Sequence, residues 1–293
     1  MVLPDAAYFP RWAFMPICRG YLLVLFLAGC VSTEPSRSGV SWQSFKANDT
    51  GPDRVLFDIA LVQRPINDSF LNTELWASAD EMILPVDLRE NLELNGFRIG
   101  LLVGSPPEKL GQLLQSDRSC IDRRGRSVPS GVLLAQNLRE SPETVEALLH
   151  RDKVQETVSF ERPLFGLDLL PNLKQQTVRL RMTPRIEAGV KSMNFKPVPE
   201  ESKWALELKR PTKLLTDLAM EINLAPNQIL IIGGRPEREG SVGYLTFVDD
   251  QSGETYQRLL IIRHLRSAAP APESDSSDIP YPALASQAAK SSP

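Results

Sequence analysis

Cysteine is scarce in this sequence: three residues in 293, at Cys18, Cys30 and Cys120. Two of them fall within the first thirty positions, so no framework of intramolecular disulfides can hold the chain together. Histidine is scarcer still, with only His150 and His264, and neither has a partner at H-x-x-x-H spacing. A histidine-rich zinc site is therefore not indicated, and no metal site is expected. Neither sign of charge is in excess: 33 basic against 36 acidic residues leave −3. Bulk attraction to nucleic acid is disfavoured on that balance. There is no G-x-S-x-G elbow and no G-x-x-x-x-G-K-[ST] loop, so no cofactor is expected and no enzyme motif is found. What remains is an ordinary globular composition, 42% apolar and 24% charged, sized for one or two domains.

The amino terminus carries the most specific signal. Arg11 and Arg19 precede a short apolar run, Tyr21 to Ala28, that ends in Gly29 and Cys30. The run is too short for a permanent membrane helix and has the layout of a secretory signal peptide. Its end, Leu27-Ala28-Gly29-Cys30, resembles the lipobox of bacterial lipoproteins. That resemblance implies cleavage between Gly29 and Cys30, a diacylglyceryl thioether on Cys30, and acylation (palmitate, for example) of the new amino terminus. Several acyl chains together anchor firmly. Met15 offers a start that would give a more compact signal than Met1. Val31 follows the cysteine where an aspartate favours inner-membrane retention in enterobacterial lipoproteins, and by that analogy the outer membrane is open to it. The expected location is thus the cell envelope, lipid-anchored on the periplasmic face. From Cys30 onward, 31 basic and 35 acidic residues give −4.

The mature chain reads as an α+β protein in segments. Residues 30–52 are rich in Ser, Thr, Gly and Asn and read as a tether. Residues 53–116 read as a strand-helix-helix-strand-helix unit. It has a strand at Val55 to Val62, a helix capped by Asp68 or Ser69 and running through Leu71, Leu75, Ala79 and Met82, and a helix opened by Pro85 and stopped at Asn95-Gly96. A strand with Phe97, Ile99, Leu101 and Val103 follows, then a helix after a capping box at Ser105 to Glu108. Residues 117–130 hold Arg118, Arg123, Arg124 and Arg126 around Cys120 and read as a basic linker. Residues 131–266 read as a mainly antiparallel, sandwich-like β-rich domain. Its strands are expected around 178–182, 204–208, 218–224, 228–232, 242–248 and 259–262, with a helical stretch at 142–149. Residues 267–293, rich in Ala, Pro and Ser, are expected to be disordered.

The candidate chemistry is thin, and each candidate has a structural alternative. Arg179, Arg181 and Arg185 alternate along one strand and could bind an anionic polymer or simply face solvent. Cys120 among arginines could be a redox-responsive thiol, or pair in space with His150. The neighbouring acids Asp80-Glu81 and Asp249-Asp250 could serve a hydrolase or a cation, or be solvated. The loop Gly233 to Ser241 superficially resembles a phosphate cradle, but without the lysine it reads as a hairpin loop. Phe70 and Trp76 read as core.

Three pieces, Gln228 to Gly234, Gly240 to Phe247 and Leu259 to Arg263, resemble the strands of the outer-membrane secretin core. Leu180 to Ile186 resembles the secretin Thr-Pro-x-Ile motif but precedes the Gly-Gly strand, and the V-P-x-L-G-D-I-P signature is absent. The resemblance covers under a third of the chain and implies an association with envelope assemblies. The function expected is a non-catalytic structural or assembly component working through protein contacts. The alternatives are a module for an anionic envelope polymer, or a hydrolase with carboxylates such as Asp80 and Glu81 assembled in space.

Overall fold

The apolar runs at 229–232 and 259–262 become central strands of one sheet, with both faces covered. A computed structural model describes residues 51–267 except 52, 103, 153, 199–202 and 252. The leader, Cys30, the tether apart from Gly51, Val103 and the tail after Ser267 lie outside the described residues. In chain order the strands are β1 (Arg54–Pro65), β2 (Ala79–Asp80), β3 (Phe97–Leu102), β4 (Cys120–Pro129), β5 (Leu134–Glu140), β6 (Val145–Arg151), β7 (Val154–Phe160) and β8 (Leu164–Lys174). They continue as β9 (Thr177–Glu187), β10 (Ser192–Val198), β11 (Lys203–Lys209), β12 (Thr212–Leu214), β13 (Met220–Leu224), β14 (Ile229–Gly234), β15 (Val248–Gln251) and β16 (Glu254–Ser267). The helices are α1 (Leu75–Ala77), which continues a π-helical turn at Phe70–Glu74, α2 (Val86–Leu94), α3 (Glu108–Gln115) and α4 (Val242–Phe247). The protein is mainly antiparallel β structure.

The large sheet runs β2-β3-β14-β16-β1-β4, with β15 beside the start of β16. Side chains of one parity, including Phe57, Ile59, Leu230, Ile232, Leu260 and Ile262, enter one buried cluster. Those of the other parity, including Ala60, Val62, Ile229, Ile231, Leu259 and Ile261, enter a second. The first cluster is closed by a five-stranded sheet, β12-β9-β8-β5 with β13 also on β9. The second is closed by Phe70, Leu71, Leu75 and Trp76 and by Leu110 and Leu114 of α3. A sheet covered on both faces needs continuous apolar runs in its strands, which is why 229–232 and 259–262 carry no polar alternation.

Several elements differ from the sequence expectation. The chain does not divide at 117–130: Cys120–Pro129 of that stretch form β4, paired antiparallel with β1 from Arg54–Pro129 to Val62–Cys120. Likewise β1 and β3 share their sheet with β14 and β16, so segments 53–116 and 131–266 build one core, and every described residue belongs to the single unit 40–293. Residues 142–149 give strand β6, because Val145, Ala147 and Leu149 repeat with period two and the last two are buried. The first helix stops at Ala77, and Met82 is 73% exposed. Asp68 does accept a bond from the Leu71 amide at 3.1 Å, as a cap should. Asn95-Gly96 ends α2 as expected, with Gly96 at φ +77°. At the start of α3 no side chain caps the helix: Pro107, not Ser105, occupies the capping position.

Residues 242–248 were expected as a strand and instead form α4 leading into β15. The Ser241 hydroxyl accepts the Tyr244 amide at 3.3 Å, and Val242, Gly243, Thr246 and Phe247 fall on one buried helical stripe. The helix seats against the end of α2. Its Gly243 amide donates to the Asn95 carbonyl at 2.8 Å, while the Asn95 side chain donates to the His150 carbonyl at 3.0 Å and accepts the His150 amide at 2.9 Å. Asn95 is fully buried and ties α2, α4 and β6 together.

Candidate functional site

The arginines singled out in the sequence are mostly committed to carboxylates. Arg185 is only 6% exposed and lies across Gly166, where the absent side chain leaves room for it. Its guanidinium sits 2.9 Å from Asp168 and also meets Glu187 and the Asn137 side-chain oxygen. Burial raises the Asp168 carboxyl above its ordinary value, and Arg185 works in the opposite direction. Arg179 pairs with Glu221 on β13, and Arg181 faces solvent. The outer face of the smaller sheet is thus a mosaic of both signs, and Arg179, Arg181 and Arg185 form no cationic stripe.

On β4, Arg123 grips Asp58 with two bonds, 3.1 and 2.7 Å, and Asp58 is 3% exposed. Arg124 pairs with Asp122 at 2.8 Å. Cys120 is half-buried under α3, with its thiol 3.6 Å from the Asp122 carbonyl. Burial raises the thiol above its ordinary range despite Arg123 nearby, because the thiolate loses water there. Less thiolate at neutral pH means slower chemistry. Cys120 is expected to react with iodoacetamide at pH 7 about tenfold more slowly than free cysteine, and a rate at or above that of free cysteine would show an activated thiol.

The remaining candidates do not converge. The Asp80 carboxylate accepts the Met82 amide in a turn, while Glu81 holds Arg98 with two bonds of 2.9 and 2.7 Å. Arg98 in turn lies 4.4 Å above the Trp76 ring, which makes Trp76 both core and cation partner. Asp249 sits between Arg139 and Arg258, whereas its neighbour Asp250 accepts the Thr255 hydroxyl. His264 is fully buried in the large sheet, 3.1 Å from the Leu224 carbonyl, and burial lowers its pKa. Among the described residues no three His, Cys, Asp or Glu side chains group as a metal site. The segment after Gly234 leads into α4 and is not a loop between two strands. Arg235 in it pairs with Glu93 and with Glu237, and its amide donates to the Gly96 carbonyl.

One concave site lies where α2, β3 and this segment meet. Glu81, Arg89, Glu93, Phe97, Arg98 and Arg235 line a shallow, open groove. Arg98 and Arg235 in it are already bound to glutamates. Sequence spacing could not find it, because Glu81, Glu93 and Arg235 meet only through the pairing of β3 with β14.

Open strand margins are the other feature. Among the described residues β4 is paired on one side only, with Ile121, Arg118 and Arg124 exposed along or beside it. β7 pairs only with β6 and exposes Val154 to Thr157, and β10 and β11 pair only with each other. No described helix is long and apolar enough to cross a membrane. No family model, curated protein or solved structure matches the chain.

Proposed function

We propose that the chain is a lipid-anchored envelope protein, α+β and sandwich-like in its packing, that serves as a non-catalytic assembly component through protein contacts. The observation that carries this reading is the margin of β7, which pairs only with β6 among the described residues and exposes Val154 to Thr157. A strand margin of this kind is a template for an added strand. The polymer-binding alternative rests on Arg179, Arg181, Arg185 and the arginines near Cys120, of which Arg179, Arg185, Arg123 and Arg124 pair with acids. The hydrolase alternative relied on Asp80 and Glu81, which are held by a turn amide and by Arg98.

The anchor and the assembly role are tested separately. Cys30→Ser is expected to abolish labelling by radioactive palmitate and to release the protein from membranes; retained label would overturn the anchor. Extraction of the native protein in mild detergent should give a defined mass well above the 32.6 kDa chain, and a lone monomer would overturn the assembly role.

A further inference from the structure

Between β13 and β14 the chain crosses from the five-stranded sheet to the large sheet through a short turn, Ala225 to Gln228. Asn227 takes φ +68° in it, the Gln228 amide donates to the Ala225 carbonyl at 3.2 Å, and the Gln228 side-chain oxygen accepts the Ala225 amide at 2.8 Å. His264 of β16 fastens this turn. The Asn227 amide donates to the His264 carbonyl at 2.7 Å, and the His264 amide donates to the Gln228 carbonyl at 3.2 Å. The imidazole reaches back to the last residue of β13, with Nδ1 3.1 Å from the Leu224 carbonyl. A carbonyl only accepts, so Nδ1 carries the hydrogen of that bond. The ring is fully buried beside Phe57, their centroids 6.2 Å apart. One residue of the large sheet thus holds both ends of the crossing.

We propose that His264 is an acid-sensitive clasp between the two sheets: a second ring proton loosens the turn at Ala225 to Gln228 and lets β13 part from the large sheet. The clasp acts whether or not a strand margin binds a partner. Burial disfavours the imidazolium and lowers the histidine below its ordinary 6.5, against the pull of the Leu224 and Ala225 carbonyls. The charged groups around it do not offset this. In line with His264 through Phe57, β4 carries Arg126, a cation, and the next residue of that parity, Arg124, pairs with Asp122. Asp58 and Arg263 stand at the opposite parity of their strands, where Asp58 is gripped by Arg123. On β13, Glu221 alternates outward between the buried Met220 and Ile222 and pairs with Arg179, and the sequence of β14 holds no charged residue. A base whose folded value is lowered contributes stability that is complete above pH 6.5 and falls as the pH drops below it. Carboxylates do not share this window. Asp68 and Glu237, both held low, act only below 3.8 and 4.5, and Asp168, raised by burial, gains on acidification. Loosening β13 bares Val178 to Met182 of β9, the five positions it now pairs with.

Hydrogen exchange in the full chain tests the clasp, with rates normalised for intrinsic exchange at each pH. Between pH 7.5 and pH 5.5 the segment Met220 to Gln228 is expected to lose protection about tenfold, the factor for a ring that titrates at its ordinary value once released, while β1 and β8 keep theirs. His264→Asn retains an N–H donor and cannot gain a proton, so its protection at 220–228 should not change with pH. Should that variant fail to fold, the unaltered ring decides: the chain has two histidines, His150→Gln assigns their NMR signals, and His264 should titrate below 6.5. Unchanged protection at 220–228 in the unaltered chain, an equal loss in β1 and β8, a folded asparagine variant with the same pH response, or a His264 titration at or above 6.5 would each overturn the proposal.

Discussion

Gly243→Ala is expected to destabilise the protein by at least about 3 kcal/mol, at the upper end of overpacking costs. The size of the effect comes from what a Cβ would meet. Built on Gly243, it lies 2.2 Å from the Gly96 carbonyl oxygen, 2.3 Å from the carbonyl carbon and 2.6 Å from the Phe97 nitrogen. All three are backbone atoms, so no rotamer change can relieve the contact. The two backbones are moreover tied at this crossing: the Gly243 amide donates to Asn95, and the Gly96 carbonyl accepts from Arg235. In an exposed helix the same change would gain about 1 kcal/mol from alanine's propensity. A measured loss therefore isolates the close approach, because propensity alone has the opposite sign. Thermal or denaturant unfolding should show a fall of about 6–12 °C, using ~2–4 °C per kcal/mol for a domain of this size. Gly253→Ala is the comparison: its Cβ would meet nothing within 4 Å, and only the φ of +86° resists it. That strain costs about 1 kcal/mol. If Gly243→Ala costs no more than Gly253→Ala, α4 is not seated as described.

The same crossing marks the boundary of what the sequence makes legible. Local chemistry was readable: Asp68 caps the turn before Leu71, Asn95-Gly96 stops α2, and the runs at 229–232 and 259–262 are strands. Residues 242–248 were not readable, because Val242, Tyr244, Thr246 and Phe247 have strand propensity and the decisive partner, Gly96, lies far away in the chain. Arginine-rich composition suggested a linker at 117–130, but Asp58 reaches Arg123 from a strand 65 residues earlier and turns that stretch into β4. The same holds for the candidate site. Alternation correctly places Arg179 and Arg181 on one face of β9, yet it cannot say that Gly166 leaves room for Arg185 to fold down onto Asp168 and Asn137.

Asp249→Ala is expected to cost about 3 kcal/mol or more, as breaking a buried charge network usually does. Asp249 holds Arg139 at 3.1 Å and Arg258 at 2.8 Å, and the two arginine side chains are 14% and 11% exposed. Burial disfavours the charge of Arg258, and Asp249 offsets that penalty. Without the carboxylate, two half-desolvated guanidinium groups face each other with their mutual repulsion uncompensated. The arginines also bind the Leu245 and Leu138 carbonyls, so their displacement would loosen α4 and β5 from the β15–β16 hairpin. Asp250→Ala supplies the contrast, since that residue is exposed and its carboxylate accepts the Thr255 hydroxyl in the same turn. A surface change of this kind usually stays within about 0.5 kcal/mol. Adjacent acids would then differ severalfold in unfolding free energy, and Asp249→Asn should fall between them by keeping the shape while removing the charge. Equal, small losses at 249 and 250 would mean that Arg139 and Arg258 find water when Asp249 is gone and that the triad does not hold the two sheets together.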